Sequence, residues 1–282
     1  MSAIAVFAGD FHCGSSLGLQ PPVVRLDDGQ VLRHSRYQAF IWRCWMTFWK
    51  EIAEEKARRG APVVFFANGE LCDNNWHKTV QMSSRNLADL MKLALQAFVP
   101  ARRVADDIIV LRGTEAHSGS GGALDELVAE RLGALRDGEG NWSRYGFYGE
   151  LGGVYLDVCH HPGHNAMRPW THGGHVNRLA ADLMHQYWGM PYPPQLAVRG
   201  HVHTAADSGD NFPLRAVILP SWKLSSRDAW GARFGGRGIL PVGGGWAVCQ
   251  DGEYELYKRI WSWPIEDYRP PEHLRPPSTS TS

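Results

Sequence analysis

Eight short apolar runs rich in β-forming residues punctuate the chain: Ile4–Ala8, Val63–Ala67, Ile108–Leu111, Val154–Cys159, Leu196–Arg199, Ala216–Leu219, Trp246–Cys249 and Tyr254–Ile260. Between them apolar residues recur every three or four positions: Tyr37, Ile41, Trp45, Phe48 and Ile52; Leu87, Leu90, Ala94 and Phe98; Leu124, Leu127, Val128 and Leu132; Val176, Leu179, Leu183 and Tyr187. A chain that switches between these two periods must bury strands against amphipathic helices. The pattern predicts an α/β fold, with Ser83 or Ser84 capping the second helix. The last third holds more strands than helices, which predicts a mixed sheet system. Trp42, Trp45 and Trp49 fall at helical spacing and are read as core rather than as a base-stacking platform.

Composition narrows the class. The 282 residues are 44% hydrophobic, enough for a substantial core. Lys+Arg 29 balance Asp+Glu 29, so no global positive field is available to wrap a nucleic acid, although a local basic patch is allowed. Cys13, Cys44, Cys72, Cys159 and Cys249 form no C-x-x-C pair and no framework spacing, which points to a reducing, cytoplasmic compartment. No stretch of eighteen apolar residues occurs, and the apolar run in MSAIAVFAGDF is too short for a signal sequence. A soluble chain with no membrane partner is expected. Residues 1–263 are expected to form one domain, and the Pro/Ser/Thr-rich 264–282 a surface or disordered tail. The glycine-rich stretches Arg233 to Gly238 and Gly243 to Gly245 match neither a P-loop nor a dinucleotide fingerprint and are read as loops or a hairpin connection.

The chemistry concentrates at the carboxyl ends of the predicted strands. Gly9-Asp10-Phe11-His12 follows the first, Asn68-Gly69-Glu70-Leu71-Cys72-Asp73 the second, and Gly113-Thr114-Glu115-Ala116-His117 the third. His160-His161-Pro162-Gly163-His164 and Gly200-His201-Val202-His203 follow two later ones. Loops at strand carboxyl ends gather into one crevice in open α/β sheets. Mixed carboxylates and imidazoles there suit Mn, Fe, Zn, Ni or Co, and two such ions can bracket a phosphate. His201 and His203 alternate, so on an extended chain both rings lean to one side. His160 is preferred over His161, His164, His172 and His175 because it directly follows its strand. Asn74, Asn75, Trp76 and His77 are candidates for contact with a phosphate or leaving group.

In this order the segments resemble the calcineurin-like metallophosphoesterase superfamily, whose pattern runs D-x-H, G-D-x-x-D, G-N-H-[DE], a strand-ending His, and G-H-x-H. The resemblance spans Asp10 to His203 and implies a two-sheet mixed β-sandwich flanked by helices. It implies two divalent ions, manganese first, with one held by Asp10, His12 and His203 and the other by His160 and His201. A carboxylate would bridge them, and a metal-activated hydroxide would attack phosphorus. Glu70 stands where the pattern has its bridging Asp, and Asp73 matches the second Asp and is the alternative bridge. Gly113-Thr114-Glu115-Ala116-His117 lacks the pattern's Asn, so Thr114 or Glu115 is left to replace that ligand and His117 to act as ligand or general acid, with His117 and Glu115 as the catalytic candidates. The reading that follows is a hydrolase acting on a phosphate ester, a phosphodiester of single-stranded nucleic acid or a nucleotide before a monoester. The alternative is a binding protein that keeps the fold and has lost turnover. The ligand histidines are expected in an open site rather than in the core.

Overall fold

The computed structural model describes residues 2–74, 81–163, 172–224 and 240–263. The expected tail, the Arg233 to Gly238 stretch, Asn75, Trp76, His77 and His164 lie outside these residues. The strands are β1 (Ala3–Gly9), β2 (Val23–Arg25), β3 (Val31–Arg33), β4 (Val63–Asn68), β5 (Asp107–Leu111), β6 (Ser143–Arg144), β7 (Gly146–Leu151), β8 (Val154–Cys159), β9 (Leu196–Arg199), β10 (Ala206–Asp207), β11 (Arg215–Ile218), β12 (Val242–Gln250) and β13 (Glu253–Trp261). Helices are α1 (Arg36–Arg59), α2 (Leu87–Ala97), α3 (Val99–Val104), α4 (Glu115–Ser118), α5 (Ala123–Leu132) and α6 (His172–Gln186).

Two mixed sheets stack. One runs β13-β12-β1-β4-β5-β6 and the other β10-β11-β9-β8-β7, while β2 and β3 form a separate hairpin. In the first sheet β1, β4 and β5 are parallel, as are β8, β9 and β11 in the second. The period-2 alternation of the strands serves two cores at once. In β1, Ala5 and Phe7 pack between the sheets with Phe66, Leu156 and Val198, while Ile4, Val6 and Ala8 face the helices. In β11, Val217 likewise joins the inter-sheet core, and Ala216 and Ile218 pack against Val176, Leu179 and Leu183 of α6. The layers are therefore helix, sheet, sheet, helix: the two-sheet mixed β-sandwich flanked by helices that the resemblance implies. No helix among the described residues is long and apolar enough to cross a membrane.

Helix α1 is held at both ends by its own sequence. Ser35 and Gln38 form a reciprocal capping box, and Gly60, in the left-handed region, closes the carboxyl end. Its buried stripe of Ile41, Cys44, Trp45, Phe48, Trp49 and Ile52 covers the first sheet. Trp45 packs edge-on against Phe11 at 5.6 Å and Trp222 at 4.7 Å between centroids. It belongs to the core, as does Trp49, while Trp42 is half-buried against it.

Two local expectations are corrected. The second helix is capped by Asn86, whose side chain accepts from Ala88 N at 3.0 Å, because Ser84 is committed to Asp89 through its hydroxyl. Gly243 to Gly245 form no loop but lie buried inside β12. A Cβ on Gly244 would stand 2.7 Å from Phe7 O and 3.0 Å from the Phe48 ring, so glycine there lets α1 and β1 close on the strand.

Candidate metal centre

Five loops meet at one edge of the sandwich, after β1, β4 and β5 of one sheet and β8 and β9 of the other. Backbone hydrogen bonds tie them together. Asp10 N and His12 N donate to Gly69 O and Glu70 O, Asn74 N to His117 O, Gly200 N to His160 O and Trp222 N to Asp10 O. Asp125, fully buried on α5, accepts from Leu71 N at 3.0 Å, Gly113 N at 2.7 Å and Ser118 Oγ at 2.6 Å, and so joins the second and third loops. Three of the loops also sink an apolar residue into the core: Phe11 between Asp10 and His12, Leu71 after Glu70, and Val202 between His201 and His203.

Aiming side chains this way demands unusual backbone. Asp10 (φ 55), His12 (φ 47), Glu70 (φ 56), His201 (φ 71) and His203 (φ 58) all lie in the left-handed region. Among the described residues only one other non-glycine residue does, Asp251 in the turn after β12. Such positions cost of the order of 1–3 kcal/mol each and persist where the surroundings over-determine them. The expectation that His201 and His203 project together from an extended chain is therefore corrected: the segment turns twice, and its two rings enter different groups.

The first group is Asp10, His12, Glu70 and His203, whose ligand atoms lie within 4.8 Å of one another. His12 Nε2 stands 2.8 Å from Glu70 Oε2 and 3.2 Å from His203 Nε2, and His203 Nε2 stands 3.2 Å from Asp10 Oδ1. Two imidazole nitrogens bound to one ion at about 2.0–2.1 Å stand about 2.9–3.4 Å apart, and the facing nitrogens of His12 and His203 match that spacing. The second group is Glu70, His160 and His201. His160 Nδ1 donates to Asn68 O at 2.9 Å, which turns Nε2 inward to within 3.4 Å of Glu70 Oε1 and 3.8 Å of Asp10 Oδ1. Glu70 thus presents one oxygen to each group.

The third loop departs from expectation. Thr114 Oγ1 donates to Glu70 Oε1 at 2.7 Å. Glu115 is exposed and accepts from Gly121 N at 3.1 Å, in the first turn of α4. It joins neither donor group. His117 does reach the site: its Nδ1 pairs with Asp73 Oδ1 at 3.1 Å and its ring packs edge-on against His12. Asp73 Oδ2 in turn meets His12 Nδ1 at 3.2 Å and Lys223 Nζ at 3.3 Å. Asp73 therefore lies behind His12, on the side opposite Glu70. Nor are all the ligand histidines in the open: His12 and His160 are fully buried, and His203 retains partial exposure.

Electrostatics explains what such a site is built to hold. Burial would raise the Asp10 and Glu70 carboxyls, but the neighbouring imidazoles outweigh it and keep both ionised, Glu70 well below its usual range. Asp73 is likewise driven far down despite burial, by His117, His12 and Lys223. Burial also opposes charge on His160, yet Asp10 and Glu70 raise it to about 9, and His12 is raised as well. Burial and the adjacent His160 push His201 down to about 4, and His203 is lowered by burial. Three buried carboxylates facing one lysine need further positive charge to balance them. Asp10 Oδ1 and His160 Nε2 are buried without a hydrogen bond. Converging lone pairs, orphaned polar atoms and surplus negative charge all fit divalent cations.

Lys223 and Asp125 were not signalled by the sequence reading. Both sit outside the ligand-bearing segments, Lys223 in the loop after β11 and Asp125 on α5. The spacing of Asp125 from Gly113 carries no motif that could have marked it.

The chain is similar over 93% of its length to vacuolar protein sorting 29 from Cryptosporidium parvum, at 11% identity, TM-score 0.41 and 99% of that chain. It is similar to Vps29 of Chaetomium thermophilum at 9% identity and TM-score 0.45, over 93% of this chain and 100% of that one. A dimetal phosphatase from Danio rerio matches at 8% identity and TM-score 0.43, over 93% of this chain and 99% of that one. No protein-family model and no curated protein matches the chain. At these identities and scores the likenesses assign no activity, and the fold and site rest on the sheets and side chains described above.

Proposed function

We propose that this chain is a metal-dependent phosphoesterase that hydrolyses a phosphodiester of single-stranded nucleic acid or a nucleotide. The observation that carries the reading is the convergence of Asp10, His12, Glu70, His160, His201 and His203 from four strand ends into two donor groups sharing Glu70. Asp10, His12 and His203 would hold one divalent ion, His160 and His201 the other, with Glu70 common to both and manganese the first candidate. Bound ions of this kind lower the pKa of a water toward neutrality and offset charge on phosphoryl oxygens.

The chain's own residues do the rest. Asp73 fixes the His12 ring through Nδ1 so that Nε2 faces the site, and Asn68 O does the same for His160. Thr114 holds the Glu70 carboxylate in place between the two groups. His117, oriented by Asp73 and partly exposed, is the residue positioned to hand a proton to the leaving group. Formal net charge zero favours a small or single-stranded substrate over a wrapped duplex.

The test compares a labelled oligonucleotide, a cyclic mononucleotide and a phosphomonoester with Mn²⁺ present. Faster turnover of either diester is expected, and preferential turnover of the monoester overturns the choice. One observation favours a second reading, a binding protein without turnover: Thr114 spends its hydroxyl on Glu70 where the resembled pattern has an Asn ligand. A full complement of two ions with no hydrolysis of any of the three substrates would select it.

A further inference from the structure

The second group offers three donors, Glu70, His160 and His201. A fourth side chain stands beside them that neither the resemblance nor the proton-transfer roles account for. The His161 ring centroid lies 5.2 Å from that of His160 and 4.9 Å from that of His201, and the His160 and His201 centroids are 5.3 Å apart. The three imidazoles thus mark a nearly equilateral triangle. Imidazoles bound through one nitrogen at about 2.0–2.1 Å place their ring centres roughly 3.2 Å from the ion, and so about 4.5–5.3 Å from one another. The ring centres have the spacing of three imidazoles about one ion, while the His161 nitrogens still lie outside the 4.8 Å group of Glu70, His160 and His201, so the His161 ring must turn to bring one in.

His161 differs from its two neighbours in how it is held. His160 is buried and anchored through Asn68 O, whereas His161 is exposed at the mouth and none of the described residues hydrogen-bonds its imidazole. An unanchored ring has no partner to lose in turning a nitrogen toward the group. Its backbone is placed by β8, which ends at Cys159, and by the Cys159 thiol, which donates to His161 O at 3.3 Å.

Resting on the metal reading above, we infer that His161 is a ligand of the second ion, which makes that site three imidazoles and one shared carboxylate. Such a set is softer than the first group, with its two carboxylates and two imidazoles, and should favour Zn, Co or Ni over Mg. The two sites then differ in affinity, with distinct responses to the metal offered.

Cobalt(II) separates this inference from the reading beneath it. The ion-free chain and the His161→Ala, His164→Ala and His201→Ala variants are titrated with Co²⁺ against a chelating indicator. Visible absorption and the hyperfine-shifted imidazole N–H proton signals are followed. The unaltered chain is expected to take up two ions. His161→Ala should keep one tight site, lose affinity at the other by at least about tenfold, and lose one shifted N–H signal. His201→Ala marks the full loss of that site, and circular dichroism in chelator checks that the exposed His161 substitution leaves the fold intact. Two sites of unchanged affinity and spectrum in His161→Ala overturn the assignment, as does a loss confined to His164→Ala. An unaltered chain that binds no Co²⁺ overturns the metal reading itself, and this inference with it.

Discussion

Asp73 is the residue whose removal should separate scaffold from ligand. Its carboxylate is only 2% exposed and accepts from His12 Nδ1 at 3.2 Å, His117 Nδ1 at 3.1 Å and Lys223 Nζ at 3.3 Å. In Asp73→Asn the shape survives, but one charge and one acceptor are lost, and the new amide NH₂ faces donors. The Lys223 to Asp73 attraction at 3.3 Å is about 5 kcal/mol at an effective dielectric of about 20, and breaking a buried pair costs about 3–5 kcal/mol. Urea or thermal unfolding in chelator should therefore show a loss of about 3–5 kcal/mol, or a Tm lower by roughly 6–20 °C for a chain of this size. Adding Lys223→Met removes the stranded charge and should recover about half or more of that loss. With metal present, the loosened His12 ring should weaken ion affinity by about 10–100-fold, or 1.4–2.7 kcal/mol, without abolishing it. A loss below about 1 kcal/mol in Asp73→Asn, or no recovery in the double variant, would refute this account of Asp73.

Glu70→Gln should cut metal content from two ions to at most one per chain, measured by elemental analysis after dialysis, and two retained ions would remove Glu70 from its shared position. Gly69→Ala should lower both stability and second-site affinity: Gly69 has φ 79, and a Cβ there would stand 2.4 Å from His160 Nδ1. Wild-type stability and two tight ions in that variant would contradict the packing described. Asp207 is depressed below its usual carboxylate range because, against the effect of burial, Arg215 and Lys258 hold its charge. A lowered folded pKa gives stability that is present above about pH 4 and lost as pH falls below it. Asp207→Asn should accordingly cost about 1–2 kcal/mol at pH 7, less than a fully buried pair because solvent reaches the cluster, and the gap to wild type should close toward pH 2. A gap that widens on acidification would reverse the assignment.

The sequence was most legible where one period ran undisturbed. All eight predicted strands and four predicted helices are present, with ends displaced by a few residues. The strands it missed carry weak signals: β7, Gly146–Leu151, has two glycines and an exposed alternate face, and β2, β3, β6 and β10 are two or three residues long. The glycines of β12 read as a loop because close approach by Phe48 is a tertiary fact with no local signature. In the site, residue types following strands marked the convergent positions. What could not be read was direction. Glu115 and His117 sit two residues apart, and only the start of α4 decides that one faces solvent and the other Asp73.

Direction is set by a device common to the metal-type loops. In Asp10-Phe11-His12 and His201-Val202-His203 the middle residue is buried in the core while both neighbours adopt positive φ and turn toward the cavity. An extended strand would place the outer two side chains on one face, side by side. The left-handed turns instead separate them, sending His203 to the group of Asp10 and His12 and His201 to that of His160. Hydrophobic burial of Phe11 against Trp45 and Phe98 supplies free energy that offsets this backbone strain at the first loop. The core beneath the site thus shapes it: one anchor residue in each of these two loops fixes where two polar side chains point, and with Glu70 shared between them, two adjacent donor groups arise from strand ends of both sheets.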